Sequence, residues 1–119
     1  MNKLIKRRAL TLLTIVLSVS FQFAYAADIH TKIDYIYTYP DDVANYGGDI
    51  ALKVTPSPSD CPMGFFIKKS TTSLWYKNVL TISLAAKHAK ANLRLIGTPE
   101  NWAGGGGVWC RLTTIGAAP

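Results

Sequence analysis

The segment TTSLWYKNVLTISLAAKHAK, residues 71–90, decides how this chain is read, because the spacing of its apolar residues changes there. Trp75, Val79, Ile82, Ala86 and Ala89 recur at helical spacing, and Leu80 and Leu84 widen the stripe. Thr71, Thr72 and Ser73 offer N-cap hydroxyls ahead of it. Lys87, His88 and Lys90 crowd the last turn, where a helix C-terminus favours positive charge. The pattern predicts a helix over Leu74–Ala89 with Trp75 in the core.

On either side the period is two. Ile29, Thr31, Ile33, Tyr35, Tyr37 and Tyr39 share one face, with His30, Lys32, Asp34 and Thr38 opposite and Ile36 among them. Residues 29–39 therefore read as a half-buried strand whose Tyr35 and Tyr37 line the interior. Pro40-Asp41-Asp42 ends it, and a polar loop runs to Gly47-Gly48. Asp49–Thr55 is a second strand, with Ile50, Leu52 and Val54 inward, before Pro56-Ser57-Pro58 breaks regular structure. Met63–Lys69 is a third, with Met63, Phe65 and Ile67 inward and Phe66 and Lys68 outward. After the helix, Ala91–Gly97 and Val108–Ile115 read as strands four and five, joined by a loop that ends in Gly104–Gly107. The chain is mainly β with one helix, in the order β-β-β-α-β-β. That is the order of the OB-fold, a small five-stranded Greek-key barrel; an open α+β sheet with one packed helix shares it.

Residues 1–26 read as a signal peptide. Lys3, Lys6, Arg7 and Arg8 form a positive n-region, Ala9–Phe23 is an uncharged apolar run, and Ala24-Tyr25-Ala26 is a small-x-small cleavage site. Residues 27–119 then form one domain of 93 residues, periplasmic or secreted, with no further segment apolar enough to span a bilayer. The formal charge of +6 misleads, since four of the thirteen basic residues and none of the seven acids lie in the signal. The exported part carries about +2, with its lysines and arginines scattered between aspartates. Phosphate-backbone binding needs clustered positive charge, so nucleic acid is not an expected partner.

Cys61 and Cys110 are the only cysteines and both are exported. In an oxidising compartment such a pair forms a disulfide. C-x-x-C spacing is absent and only His30 and His88 could add ligands, so no metal or cofactor is expected. In the OB-fold the third and fifth strands are neighbours, which a Cys61–Cys110 bridge fits.

No catalytic constellation stands out, and the expectation is a protein that is not an enzyme. His88 caps a helix end, and His30 beside Asp34 has no activated nucleophile. Gly104–Gly107 precede a strand rather than opening a helix, so they form a flexible hairpin loop and not a phosphate cradle. Aromatic residues are the remaining lead. Trp102 lies in a polar, Gly-rich loop, Trp109 alternates away from Cys110 and Leu112, and Tyr46 sits in the first loop. Exposed aromatic rings stack on sugars and anchor protein interfaces, which makes Tyr46, Trp102 and Trp109 the candidate ligand-binding residues.

From Cys61 onward, about half the chain, the sequence resembles a group of small exported bacterial proteins of uncharacterised function. The residues that carry the resemblance are Cys61-Pro62-Met63-Gly64-Phe65-Phe66-Ile67, Leu84-Ala85-Ala86, Trp102 and Cys110-Arg111-Leu112. More distantly they resemble the B subunits of subtilase-cytotoxin-like toxins. That resemblance implies an OB-fold, assembly into a pentamer and glycan binding, but it transfers no contact residue. The expected function is an exported binding module whose surface loops contact a glycan or a protein. The alternative is a structural or inhibitory envelope protein acting by protein contact alone. Assembly as a homo-oligomer accords with the little surface such a domain buries by itself.

Overall fold

The computed structural model describes residues 26–118, so the signal-peptide reading of residues 1–26 lies almost entirely outside the described residues. The elements are β1 (Ala27–Thr38), β2 (Ile50–Thr55), β3 (Phe65–Ile67), α1 (Leu74–Ala89), β4 (Leu93–Glu100) and β5 (Trp109–Ala117). The five strands make one sheet that closes on itself in the order β1-β2-β3-β5-β4, with β4 returning to β1. All pairs are antiparallel except β3 with β5. Inside lie Ile33, Ile50, Leu52, Val54, Phe65, Ile67, Leu93, Leu95 and Leu112. Cys61 and Cys110 join just ahead of β3 to β5 with their Cα atoms 5.4 Å apart.

The helix has the bounds its period indicates, but it turns a different stripe inward. Val79, Ser83 and Ala86 are buried, and Tyr76 and Leu80 pack beside them. Trp75, expected in the core, is 38% exposed, and Ile82 and Leu84 also face outward. The buried stripe runs through Val79, Ser83 and Ala86, and Trp75 lies to one side of it. The hydroxyl cap is also corrected: Ser73 occupies the N-cap without a side-chain bond to the helix, and its own N–H donates to Ser70 Oγ. The C-terminus ends in left-handed Lys90, whose N–H reaches the Lys87 carbonyl.

Strand β1 carries the largest departure from the alternating pattern. Lys32 opposes Thr55 and Ile33 opposes Val54, but Tyr35 opposes Lys53, so Asp34 is an extra residue. This bulge reverses the facing of everything after it. Thr31 and Ile33 point inward before it and Ile36 packs on the core after it. Tyr35 and Tyr37, read as interior, are instead 59% and 45% exposed.

Strand β3 shrinks to three residues because both flanks are claimed elsewhere. Met63 N–H donates to Val108 and Lys69 N–H to the Asp49 carboxylate. Gly64 has a φ of +119°, and a Cβ there would lie 2.3 Å from the Leu52 carbonyl oxygen. Met63 accordingly leaves the interior and packs on the outer face with Phe66. β4 runs three residues beyond its expected end, since Thr98, Pro99 and Glu100 pair with Arg111, Cys110 and Trp109.

Candidate functional site

Phe66 points outward from β3, as its alternation requires, and yet is 1% exposed. The chain between β4 and β5 folds back over it. Trp102 stacks on Phe66 with ring centroids 5.4 Å apart and planes 10° apart, and Trp109 meets Trp102 edge-on at 4.8 Å. Tyr39 and Tyr46 close the other side at 5.7 and 6.3 Å from Trp102. Together with Ala51 and Met63 these residues make a second small core on the outside of β2 and β3. Burial raises the Tyr39 phenol above its ordinary range, with the neighbouring Tyr46 adding to it.

One carboxylate ties this layer to the sheet. Asp49, 1% exposed, accepts from Trp102 Nε1 at 2.9 Å and from Lys68 Nζ at 2.8 Å, both through Oδ2, and from the Lys69 N–H at 2.8 Å through Oδ1. A buried carboxylate is tolerable only when donors converge on it like this. The glycine run is equally specific. A Cβ on Gly104 would fall 2.3 Å from the Trp102 ring, and one on Gly105 would fall 2.7 Å from Trp109 Nε1. The glycines therefore let backbone lie against two indoles, a role beyond the flexible loop that composition indicates.

The expectation that Trp102 and Trp109 are exposed loop rings is thereby overturned: they are 5% and 4% exposed. Tyr46 is half-buried against Tyr39. The three candidate residues do come together, but as packing. The outer face of β2 and β3 is thus covered by the protein's own side chains.

Exposed aromatic surface lies instead on β1. Tyr35 and Tyr37 stand beside each other with ring centroids 6.0 Å apart and planes 20° apart. The bulge sets Lys32 next to Tyr35 on the outer face, and Asp34 is pinned from two directions. Lys87 Nζ donates to its carbonyl at 2.6 Å, and the Thr55 hydroxyl donates to its carboxylate. Lys87 Nζ also lies 5.9 Å from the Tyr35 ring centre. Lys32, Ile33, Asp34, Tyr35, Lys87 and Lys90 line a cleft of about 600 Å³ between β1 and the end of α1. Sequence reading missed this site because alternation alone hides the bulge.

The remaining polar groups pair locally. His30 opposes Arg94 across β1 and β4, and Arg94 makes a two-bonded pair with Asp28 at 3.0 and 2.7 Å. The hydrogen bond from that guanidinium lowers the Asp28 pKa. Among the described residues, no three His, Cys, Asp or Glu side chains gather as a metal site, and no helix is long and apolar enough to cross a membrane. Comparison of the chain with models of protein families, with curated proteins and with solved structures finds no match.

Proposed function

We propose that this chain is a small exported binding module with an OB-like barrel, and that it contacts a glycan or a protein through the outer face of β1. The observation that carries the reading is the stacked, exposed Tyr35–Tyr37 pair beside the β1–α1 cleft. Two rings held side by side on a rigid strand offer contact area with little rotamer freedom to lose. The Cys61–Cys110 bond accords with an oxidising compartment, and with the n-region, apolar run and cleavage site at the N-terminus. The closed strand order and the helix between the third and fourth strands accord with the OB-fold. This reading moves the contact surface from Tyr46, Trp102 and Trp109 to Tyr35 and Tyr37.

A glycan array probed with the purified protein and with a Tyr35→Ala, Tyr37→Ala variant tests it. Binding that the variant loses while keeping its melting temperature supports the reading; binding equal in both proteins removes the β1 face from consideration. Action by protein contact alone is the second reading. The exposed Leu74, Trp75, Ile82 and Leu84 on α1 favour it. It predicts no glycan binding at all, together with a partner whose capture is lost in a Trp75→Ser, Ile82→Ser variant.

A further inference from the structure

We infer that the outward side of α1 lies against a bilayer surface carrying anionic headgroups, with Leu74, Trp75 and Leu84 in the interfacial layer and the lysines of the helix on the lipid phosphates. This surface is separate from the stacked tyrosines of β1, so the inference goes beyond the proposed function and neither depends on the other.

Apolar exposure is the first ground. Val79, Ser83 and Ala86 are all that α1 buries outright, while Leu74 is 70% exposed, Leu84 53%, Trp75 38% and Ile82 36%. At 3.6 residues per turn, Leu74, Trp75, Ile82, Ala85 and Ala89 fall on the flank of the helix turned toward β5. The apolar surface continues there. Ile82, Ala85 and Ala89 line a cleft of about 320 Å³ with Leu93 and Ala117, and Trp75 lines one with Leu112 at the other end of the helix. A contiguous apolar surface of this kind marks a contact with something outside the molecule.

Charge is the second ground, and it selects the occupant. Residues 74–90 contain Lys77, Lys87, His88 and Lys90 and no Asp or Glu. Among the described residues, none of these lysines pairs with a carboxylate, whereas Lys68, Lys69, Arg94 and Arg111 each do. Lys77 and Lys87 fall on the flank of α1 opposite the apolar one, and Lys90 ends the helix. An apolar flank beside a cationic one, with no acid between them, is the pattern of a helix lying in a membrane interface. Its aliphatic chains enter the boundary between headgroups and acyl chains, and its lysine stems carry the ammonium groups back to the phosphates. Trp75 suits that boundary, since an indole has an apolar body and one N–H for a headgroup. The contact is peripheral, because no helix among the described residues is long and apolar enough to cross a membrane.

Vesicle co-sedimentation of the protein lacking residues 1–26 tests the inference, with vesicles of phosphatidylcholine alone and of an equal mixture with phosphatidylglycerol. The expected result is at least about tenfold tighter binding to the anionic vesicles, since each lysine near such a surface contributes about fivefold in affinity. Sodium chloride at about 0.5 M should abolish that preference. A Lys77→Gln, Lys90→Gln variant should bind the anionic vesicles at least about tenfold more weakly. A Leu74→Ser, Leu84→Ser variant should weaken binding by about as much while keeping its melting temperature, because both side chains are exposed. The protein also carries its own depth probe. Of its three tryptophans, Trp102 and Trp109 are 5% and 4% exposed, so quenching of emission by brominated acyl chains reports Trp75. A Trp75→Phe variant should keep the binding and lose the quenching. Equal affinity for neutral and anionic vesicles, or binding to neither, overturns the inference. Binding that both double variants retain, or that leaves the emission unquenched, overturns the assignment to α1. Capture of a soluble partner through Trp75 and Ile82 without any vesicle binding overturns the inference and returns this face to the protein-contact reading. None of these outcomes bears on glycan binding at β1.

Discussion

Replacing Trp102 by alanine should destabilise the protein by about 4 kcal/mol, although sequence reading places this residue on a surface. Truncating a buried tryptophan costs roughly 3–5 kcal/mol, from lost burial and the cavity left behind. Trp102 is 5% exposed and touches Phe66, Trp109, Tyr39 and Tyr46, so collapse into the space would require four rings to move. The lost Nε1 bond to Asp49 adds less than a typical charged hydrogen bond. Lys68 Nζ and the Lys69 N–H still satisfy that carboxylate, so it is not orphaned. A domain of this size has on the order of 5–14 kcal/mol in total, which leaves the variant folded but marginal. Its melting temperature should fall by roughly 15–30 °C. Trp102→Phe keeps a ring on Phe66 and loses only the bond and part of the indole, so it should cost about 1–2 kcal/mol. Guanidinium denaturation followed by far-ultraviolet circular dichroism measures both without relying on the fluorophore removed. A Trp102→Ala loss below about 1 kcal/mol would refute a second core on the β2–β3 face.

Two further outcomes follow from the same packing. Cys61 and Cys110 close a separation of 49 residues, so a Cys61→Ala, Cys110→Ala variant should lose about 4 kcal/mol on the chain-entropy account; the same denaturation curves, with and without reductant on the native protein, check it. At alkaline pH, Tyr76 should titrate late, because burial, with Asp41 and Asp49 nearby, raises its phenol above 10.0 while its hydroxyl donates to the Gly48 carbonyl. Its contribution to stability is therefore full below pH 10.0 and is lost as pH rises through the higher folded value. Absorbance titration near 295 nm of the native protein against Tyr76→Phe should show one late-titrating component disappear, while that of Tyr39 remains.

The helix was legible to its end residues because Leu74–Ala89 carries a local period and closes on the basic residues Lys87 and His88, although the hydroxyls ahead of it do not cap it. The strands were legible in number and order for the same reason. What escaped was whatever depends on one element meeting another. The bulge at Asp34 is invisible to alternation, since an extra residue is recognised only against the partner strand, and it turned Tyr35 and Tyr37 from the interior to the surface. Trp75 reads as core on a helical wheel, but the helix turns Val79, Ser83 and Ala86 to the sheet and leaves Trp75 38% exposed. The aromatic loop failed in the opposite direction. Polar and glycine-rich flanks made Trp102 look exposed, while Phe66 and Asp49, 36 and 53 positions away in sequence, hold it down.

By itself, then, the sequence determined a small β-rich domain with one helix, five strands in a known order and a cysteine pair able to bridge them. Those features follow from local periodicity, turn chemistry and residue counts, which each segment carries without its neighbours. Only the tertiary structure decided which aromatic rings face water. Closure of the sheet fixes the registers, the register of β1 against β2 fixes the bulge, and the fold-back of the β4–β5 loop covers one face and leaves the other open. The surface proposed to bind a ligand is a product of those long-range contacts.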